Sequence, residues 1–279
     1  MRRRILLVLA LAVGCVAWAT TFASGAGPSP GLSGSNAGLT NGNLRYLAQP
    51  AASTTYVQVV SREDSRVLRH MRIKGTWGIP LVAYDGTAEG LFPNGRTLLL
   101  AQSLYNGQTV RTTTKFTLVD TRKMKVIRRI QLKGAFTFDA VSRDERYLYL
   151  IEYMTPEDTT SYRVRAYDLR GGGLLAKIVS DKRSWATDMR GLPLSRVWTE
   201  GWAYTLYGAN ARPFIHALDT HNVAAVCINL PWKTSPDRIF DYRVRVDGDG
   251  HLVVRGPNGR ALAVIDRQSF KVISFVANP

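Results

Sequence analysis

The sequence predicts an all-β, β-propeller-like fold of about five four-stranded blades, the first of them incomplete. The first observation behind this is a repeated outer hairpin: an apolar-alternating strand, a turn opened by a polar residue, and a second strand. It reads FTLVDTRKMKVIRRIQL at 116–132, VRAYDLRGGGLLAKIVS at 164–180, IHALDTHNVAAVCINLP at 215–231 and LAVIDRQSFKVISFV at 262–276. A fainter copy, VQVVSREDSRVLRHMRI at 57–73, has Ser61 where the others have Asp120, Asp168, Asp219 and Asp266. These markers are separated by 59, 48, 51 and 47 residues, a period that leaves room for two more strands per unit, as in a propeller blade. The second observation is those inner strands: GLFPNGRTLLL, AVSRDERYLYL, VWTEGWAYTL and RVDGDGHLVV carry their own turns, and Asn-Gly and Asp-Gly between apolar runs are hairpin signals. Third, from Thr55 onward Val, Ile, Tyr, Thr and Leu are punctuated by Gly, Pro, Asn and Asp, with no ten-residue helical period.

In chain order, residues 1–26 read as a secretory signal peptide. Arg2, Arg3 and Arg4 precede an apolar run from Ile5 to Ala19, and small residues follow at Ala23 to Ala26. An uncleaved signal anchor is the alternative, although the run falls short of the ~20 residues a spanning helix needs. Cys15 sits in a partial lipobox, followed by an apolar stretch that argues against lipid attachment. Residues 27–43, rich in Gly, Ser, Pro and Asn, read as a flexible tether. Residues 44–279 form the propeller-like domain, whose first blade is expected to hold two or three strands. Closure by the N-terminal strand, an open ring, and pairing of two chains all remain compatible with that count. Without residues 1–26 the only cysteine is Cys227, flanked by Val226 and Ile228, so the domain rests on its core and not on disulfides.

The 279 residues carry a formal charge of +16. Losing the first 26 removes three arginines and no acid, leaving 34 cationic against 21 acidic residues, +13. Such an excess favours anionic surroundings such as lipid headgroups or acidic polymers, and a solvated basic surface is the plainer account. No nucleic-acid module accompanies it, and export argues against nucleic acid as a partner. An envelope protein, a glycan or an anionic polymer is the expected class of partner.

The strings GIPLVAYDG, FTFDAVSRDERYLYLIEY, YRVRAYDL, MRGLPLSR, WAYTLYG and PFIHALDT resemble a family of uncharacterised secreted bacterial propeller-like proteins. That family is distantly similar to YVTN and WD40-like repeat proteins. The resemblance runs from about Trp77 to the C-terminus and implies a fold, with no catalytic motif attached. Thr199-Glu200-Gly201 departs from it as an inner turn shorter than its counterparts.

Three residues before the residue opening each inner turn (Phe92, Ser142, Thr199, Asp247) stand Glu89, Asp139, Arg196 and Val244. If the registers hold, two acids and an arginine converge on the central channel, as a polar ligand site or as a structural salt bridge. Connections between blades add Trp77, Asp85, Trp185, Asp188 and Arg190, aromatics beside charges that suit sugar or peptide recognition. No cofactor and no metal site is expected, because His70, His216, His221 and His251 fall in no ligand spacing. No GxSxG or phosphate-binding glycine loop occurs. The four-fold recurrence of the turn aspartates marks them as turn-formers. The sequence thus favours an exported binding or scaffolding protein. A hydrolase or lactonase-like enzyme using Glu89 and Asp139 is the alternative.

Overall fold

The computed structural model of the protein describes residues 38–102, 112–155, 158–183, 188–209, 212–233 and 236–277. The proposed signal segment and most of the tether lie outside them. The described residues form five antiparallel sheets, each from one contiguous stretch of chain. The first holds β1 (Leu39–Asn41), β2 (Leu44–Ala51), β3 (Thr54–Ser61) and β4 (Val67–Lys74). This blade is complete, not partial, and its extra strand comes from residues expected to be tether. With a single apolar side chain, β1 is too short for periodicity to show, yet Leu39 buries beside Tyr46.

The second sheet holds β5 (Trp77–Gly78), β6 (Thr97–Gln102), β7 (Thr113–Asp120) and β8 (Lys125–Lys133). The third holds β9 (Phe136–Val141), β10 (Tyr147–Thr155), β11 (Asp158–Asp168) and β12 (Gly173–Val179), with β13 (Met189–Arg190) also paired to β11. The fourth holds β14 (Leu192–Thr199), β15 (Trp202–Gly208), β16 (Phe214–Asp219) and β17 (Ala224–Asn229). A 3-10 turn at Pro236–Asp241 leads into the fifth, with β18 (Arg243–Val246), β19 (Leu252–Arg255), β20 (Ala261–Ile265) and β21 (Val272–Phe275).

Strand alternation sends one face of each sheet into a neighbour's. Tyr46, Val57 and Val59 of blade 1 pack with Leu98, Leu100 and Val119 of blade 2. Leu99, Phe116 and Leu118 meet Phe138, Leu148 and Leu150 of blade 3. Tyr149, Val164 and Ala166 meet Ala203, Tyr207 and Leu218 of blade 4. Leu206, Ile215 and Ala217 meet Val244, Leu252 and Val254 of blade 5. Each fully buried Leu, Val or Phe contributes roughly 1.5–3 kcal/mol. Among the described residues no core cluster joins blade 5 to blade 1. The N-terminal strand completes its own blade and is not lent to the last.

The outer turns behave as their recurrence requires. Oδ1 of Asp120 accepts the N–H groups of Arg122 and Lys123, and that of Asp168 those of Arg170 and Gly171. Asp219 does the same for His221 and Asn222, and Asp266 for Ser269. These donors hold Asp120 and Asp168 below the usual carboxylate range. Asp219 is 7% exposed and also takes Asn222 Nδ2 on its second oxygen. Asp219→Ala should therefore lower stability by about 1–2 kcal/mol. Urea denaturation should show that loss to exceed the one in Asp266→Ala, whose aspartate is only half-buried.

A second repeated device was not legible as a motif. Thr55 Oγ1 donates to Gly75 O and accepts from Trp77 N, both at 2.8 Å. Thr114 Oγ1 makes the same pair with Gly134 O and Phe136 N, both at 2.9 Å. Each pins the connection into the next blade.

Candidate binding site at the channel mouth

Glu89, Asp139 and Arg196 converge, and three different backbone irregularities bring them together. In blade 2 the innermost strand is broken: β5 ends at Gly78, and pairing resumes at the Leu91–Leu98 bridge. Between them the chain makes an excursion over residues 79–89, closed by the Leu81–Ala88 bridge. Its tip crosses to blade 4, where Tyr84 N and Asp85 N donate to Pro193 O and Leu194 O of β14 at 2.9 and 3.1 Å. Glu89 stands where the excursion rejoins the sheet. Gly90 follows at φ +122°, where an added Cβ would meet Leu99 O at 2.9 Å.

In blade 3, Asp139 is the bulged residue between the pairs Ala140–Tyr149 and Phe138–Leu150. A bulge re-aims a side chain, here towards the axis. In blade 4, Arg196 pairs with Thr205, and the next turn is the two-residue Glu200-Gly201, with φ of 52° and 82°. Positive φ at both central positions makes this a tight hairpin turn, which accounts for its shorter sequence.

The Arg196 guanidinium is almost wholly enclosed, its side chain 1% exposed. Nη2 pairs with Asp139 Oδ1, and Nη1 reaches the Asp139 carbonyl and, at 3.4 Å, Glu89 Oε2. Nε donates to Thr205 Oγ1 at 2.9 Å. Burial opposes the arginine's charge, but the two carboxylates outweigh it and raise its pKa. Burial pushes the Glu89 carboxyl above the usual carboxylate range, against the pull of Arg196 and of the Trp198 indole. That indole Nε1–H donates to Glu89 Oε1 at 2.6 Å.

Behind this triad lies a polar core between blades 3 and 4. His216, 1% exposed, is held neutral by burial, its pKa lowered to about 4. Its Nε2 has no hydrogen-bond partner among the described residues, and neither has Asp139 Oδ2.

In front of the triad the inner turns border a cavity of about 720 Å³. Glu89 and Trp198 form part of its wall, with Phe92, Phe138, Arg143 and Glu200 around them. Trp198 is 38% exposed. It was missed in the sequence although it lies two residues beyond Arg196, hence on the same face of β14.

The residues predicted from the blade connections take other roles. Trp77 is 6% exposed, packs between blades 1 and 2, and donates Nε1–H to Lys74 O. Asp85 Oδ1 accepts from Thr87 N and Oγ1, closing its own turn. Arg190 lies exposed on β13, paired with Ser161 at the margin of blade 3. None of the three lines the cavity. Trp185 lies outside the described residues. Cys227 is half-buried, and burial pushes its thiol up to about 11, so it is protonated and unreactive at neutral pH.

Contrary to the scattered histidine pattern, His251 lies with Asp247 and Asp249 in one group of potential ligand atoms within 4.8 Å. Asp247 Oδ1 is occupied there by the N–H groups of Asp249 and His251, the usual bonding of an Asp turn.

Comparison with solved structures bears on the fold. Dihydro-haem d1 dehydrogenase NirN aligns over 84% of this chain at 14% identity and a TM-score of 0.50. The fold is that of a β-propeller. The chain spans 44% of NirN, less than half its length. The propeller domain of the trilobed protease from Pyrococcus furiosus aligns over 84% of this chain and 69% of its own, at 10% identity and TM-score 0.45. The Dos1 propeller aligns over 89% and 57%, at 11% identity and TM-score 0.45. No protein-family model and no curated protein matches the sequence. The likeness therefore stands at the level of the fold.

Proposed function

We propose that this propeller is an exported protein of the cell envelope or extracellular space that binds or scaffolds a ligand at its channel mouth. The observation that carries the reading is how the three converging charges are used. Asp139 and Arg196 are shut away on each other at 2% and 1% side-chain exposure. They act as a strut that fixes the inner strands of blades 3 and 4 and holds Glu89 in place. What remains open is a cavity of ligand size with an exposed indole, an adjacent carboxylate and an apolar floor. That combination suits a sugar or a short peptide, with one apolar face and a few hydrogen-bonding groups. The basic N-terminal triplet and the apolar run behind it support export.

A lactonase-like use of Glu89 and Asp139 would need both carboxylates at the mouth, and the Arg196 pairing withdraws one. The test is a screen of envelope glycans and peptides against wild type and Trp198→Ala. Bound ligands should change the tryptophan fluorescence of wild type, and the variant should bind at least about tenfold more weakly. Ligand turned over into a hydrolysis product, with turnover lost in Glu89→Gln, would replace binding by catalysis.

A further inference from the structure

The two end blades differ from the three between them in a way that identifies a second surface. Blades 2, 3 and 4 share core clusters with a neighbour on both faces, whereas blades 1 and 5 each have one face, at the seam between them, that no such cluster covers among the described residues. On blade 5 that face is set by alternation. Val244, Val246, Leu252 and Val254 point into the core with blade 4, so Arg243, Arg245 and Arg255 point away from it. On blade 1, Tyr46, Ala48, Val57 and Val59 point inward, so Tyr56, His70 and Arg72 point to the seam. Tyr56 is 39% exposed, and His70, Arg72 and Arg245 are exposed as well.

The strands that flank this seam carry charge of one sign. None of the eight strands of blades 1 and 5 contains an aspartate or glutamate. Arg243 stands directly opposite Arg255, an arrangement that costs stability in a sheet. Arg243 Nη1 is fastened to the carbonyls of Phe240 and Tyr242, and Arg255 Nη1 to that of Gly259. Arg245 Nη1 is fastened to Val244 O. No carboxylate pairs with any of the three among the described residues. The guanidinium groups are thus held in place with donors to spare.

We propose that the seam face of blade 5 docks an acidic, strand-forming segment of a partner protein, seated where the next blade would pack. Arg243 and Arg245 are spaced roughly 7 Å along one strand, matching carboxylates on alternate residues of an extended peptide. A second copy of this chain fits poorly, since either end it offers is basic. Residues 1–37 contain no acid, so the chain's own N-terminus offers no complement. The site is separate from the channel mouth and does not depend on what binds there.

The probe is a fluorescein-labelled alternating Glu-Val peptide, followed by anisotropy at low and high salt. Comparison arms are inorganic polyphosphate and phosphatidylglycerol vesicles. Wild type should bind the peptide at low salt. The triple variant Arg243→Gln, Arg245→Gln, Arg255→Gln should lose about tenfold in affinity. The triple variant Lys123→Gln, Lys125→Gln, Arg129→Gln removes the same charge from the β8 hairpin and should retain binding. Exposed Arg245→Gln alone should weaken binding in the same direction, which keeps the test valid should the triple variant not fold. Equal losses in both triple variants would reduce the effect to net charge and overturn the proposal. So would tighter binding of polyphosphate or vesicles than of peptide.

Discussion

Arg196→Met should cost about 3–5 kcal/mol of folding stability, the largest effect expected of any single substitution in the inner strands. The loss comes less from the attraction removed than from what is left behind. Asp139 would keep a carboxylate at 2% exposure whose Oδ2 already has no partner, and Oδ1 would lose Arg196. Its bulged backbone carbonyl would lose the Nη1 bond, and Glu89 would lose the one cation paired with it among the described residues. Urea unfolding of Arg196→Met, Asp139→Leu and the double variant forms a cycle that separates the two causes. If the stranded charge dominates, the double variant should recover most of the single variant's loss, because apolar replacement of a buried pair is often neutral. A loss below about 1 kcal/mol in Arg196→Met would mean that water reaches the pair, and the strut would have to be abandoned. Channel-mouth binding should fail in the single variant and weaken less in the double, as Trp198 still anchors Glu89.

The convergence on which this rests was legible in sequence because it follows from register. Glu89, Asp139 and Arg196 occupy one position counted back from three inner turns, and repeats translate position into proximity. What was not legible is what each backbone does there. The blade 2 excursion carries no repeated pattern, and its link to blade 4 is made by the N–H groups of Tyr84 and Asp85, which no side-chain pattern encodes. The bulge at Asp139 is one unpaired residue in a continuous run. β1 escaped notice because three residues after a Gly- and Ser-rich stretch give no alternation to read. Trp77 and Asp85 misled for a related reason. An aromatic or an acid in a loop looks available until the partner that employs it, Lys74 O or Thr87 N, is located. The seam was hidden in another way. A uniformly basic chain gives no sign that two of its blades lack acids in every strand, until packing shows that those two are the ends.

His216 should make the protein lose stability between pH 6.5 and about 4. Its pKa in the fold is about 4 against an ordinary 6.5, with burial as the main cause, partly offset by Asp139 and reinforced by Arg196. In that interval the unfolded chain binds a proton that the folded chain refuses, so stability is complete above pH 6.5 and falls as the pH drops. The difference of 2.5 pH units corresponds to about 3 kcal/mol at full extent. Two other groups act in separate ways. The turn aspartates, held below their ordinary range, withdraw stability only as the pH falls below about 4. Glu89, raised by burial, contributes stability that is present at acid pH and lost as the pH rises through its folded pKa, opposite in sign to His216. The clean quantity is the difference between wild type and His216→Gln, measured as urea midpoints across this range. It should be flat above pH 7 and shift by about 3 kcal/mol in favour of the variant by pH 4. A pH-independent difference would mean that His216 finds a proton-accepting partner in solution, with Asp139 Oδ2 the nearest acceptor by chemistry. The polar core would then be a charged His–Asp–Arg network and not the neutral one its burial implies.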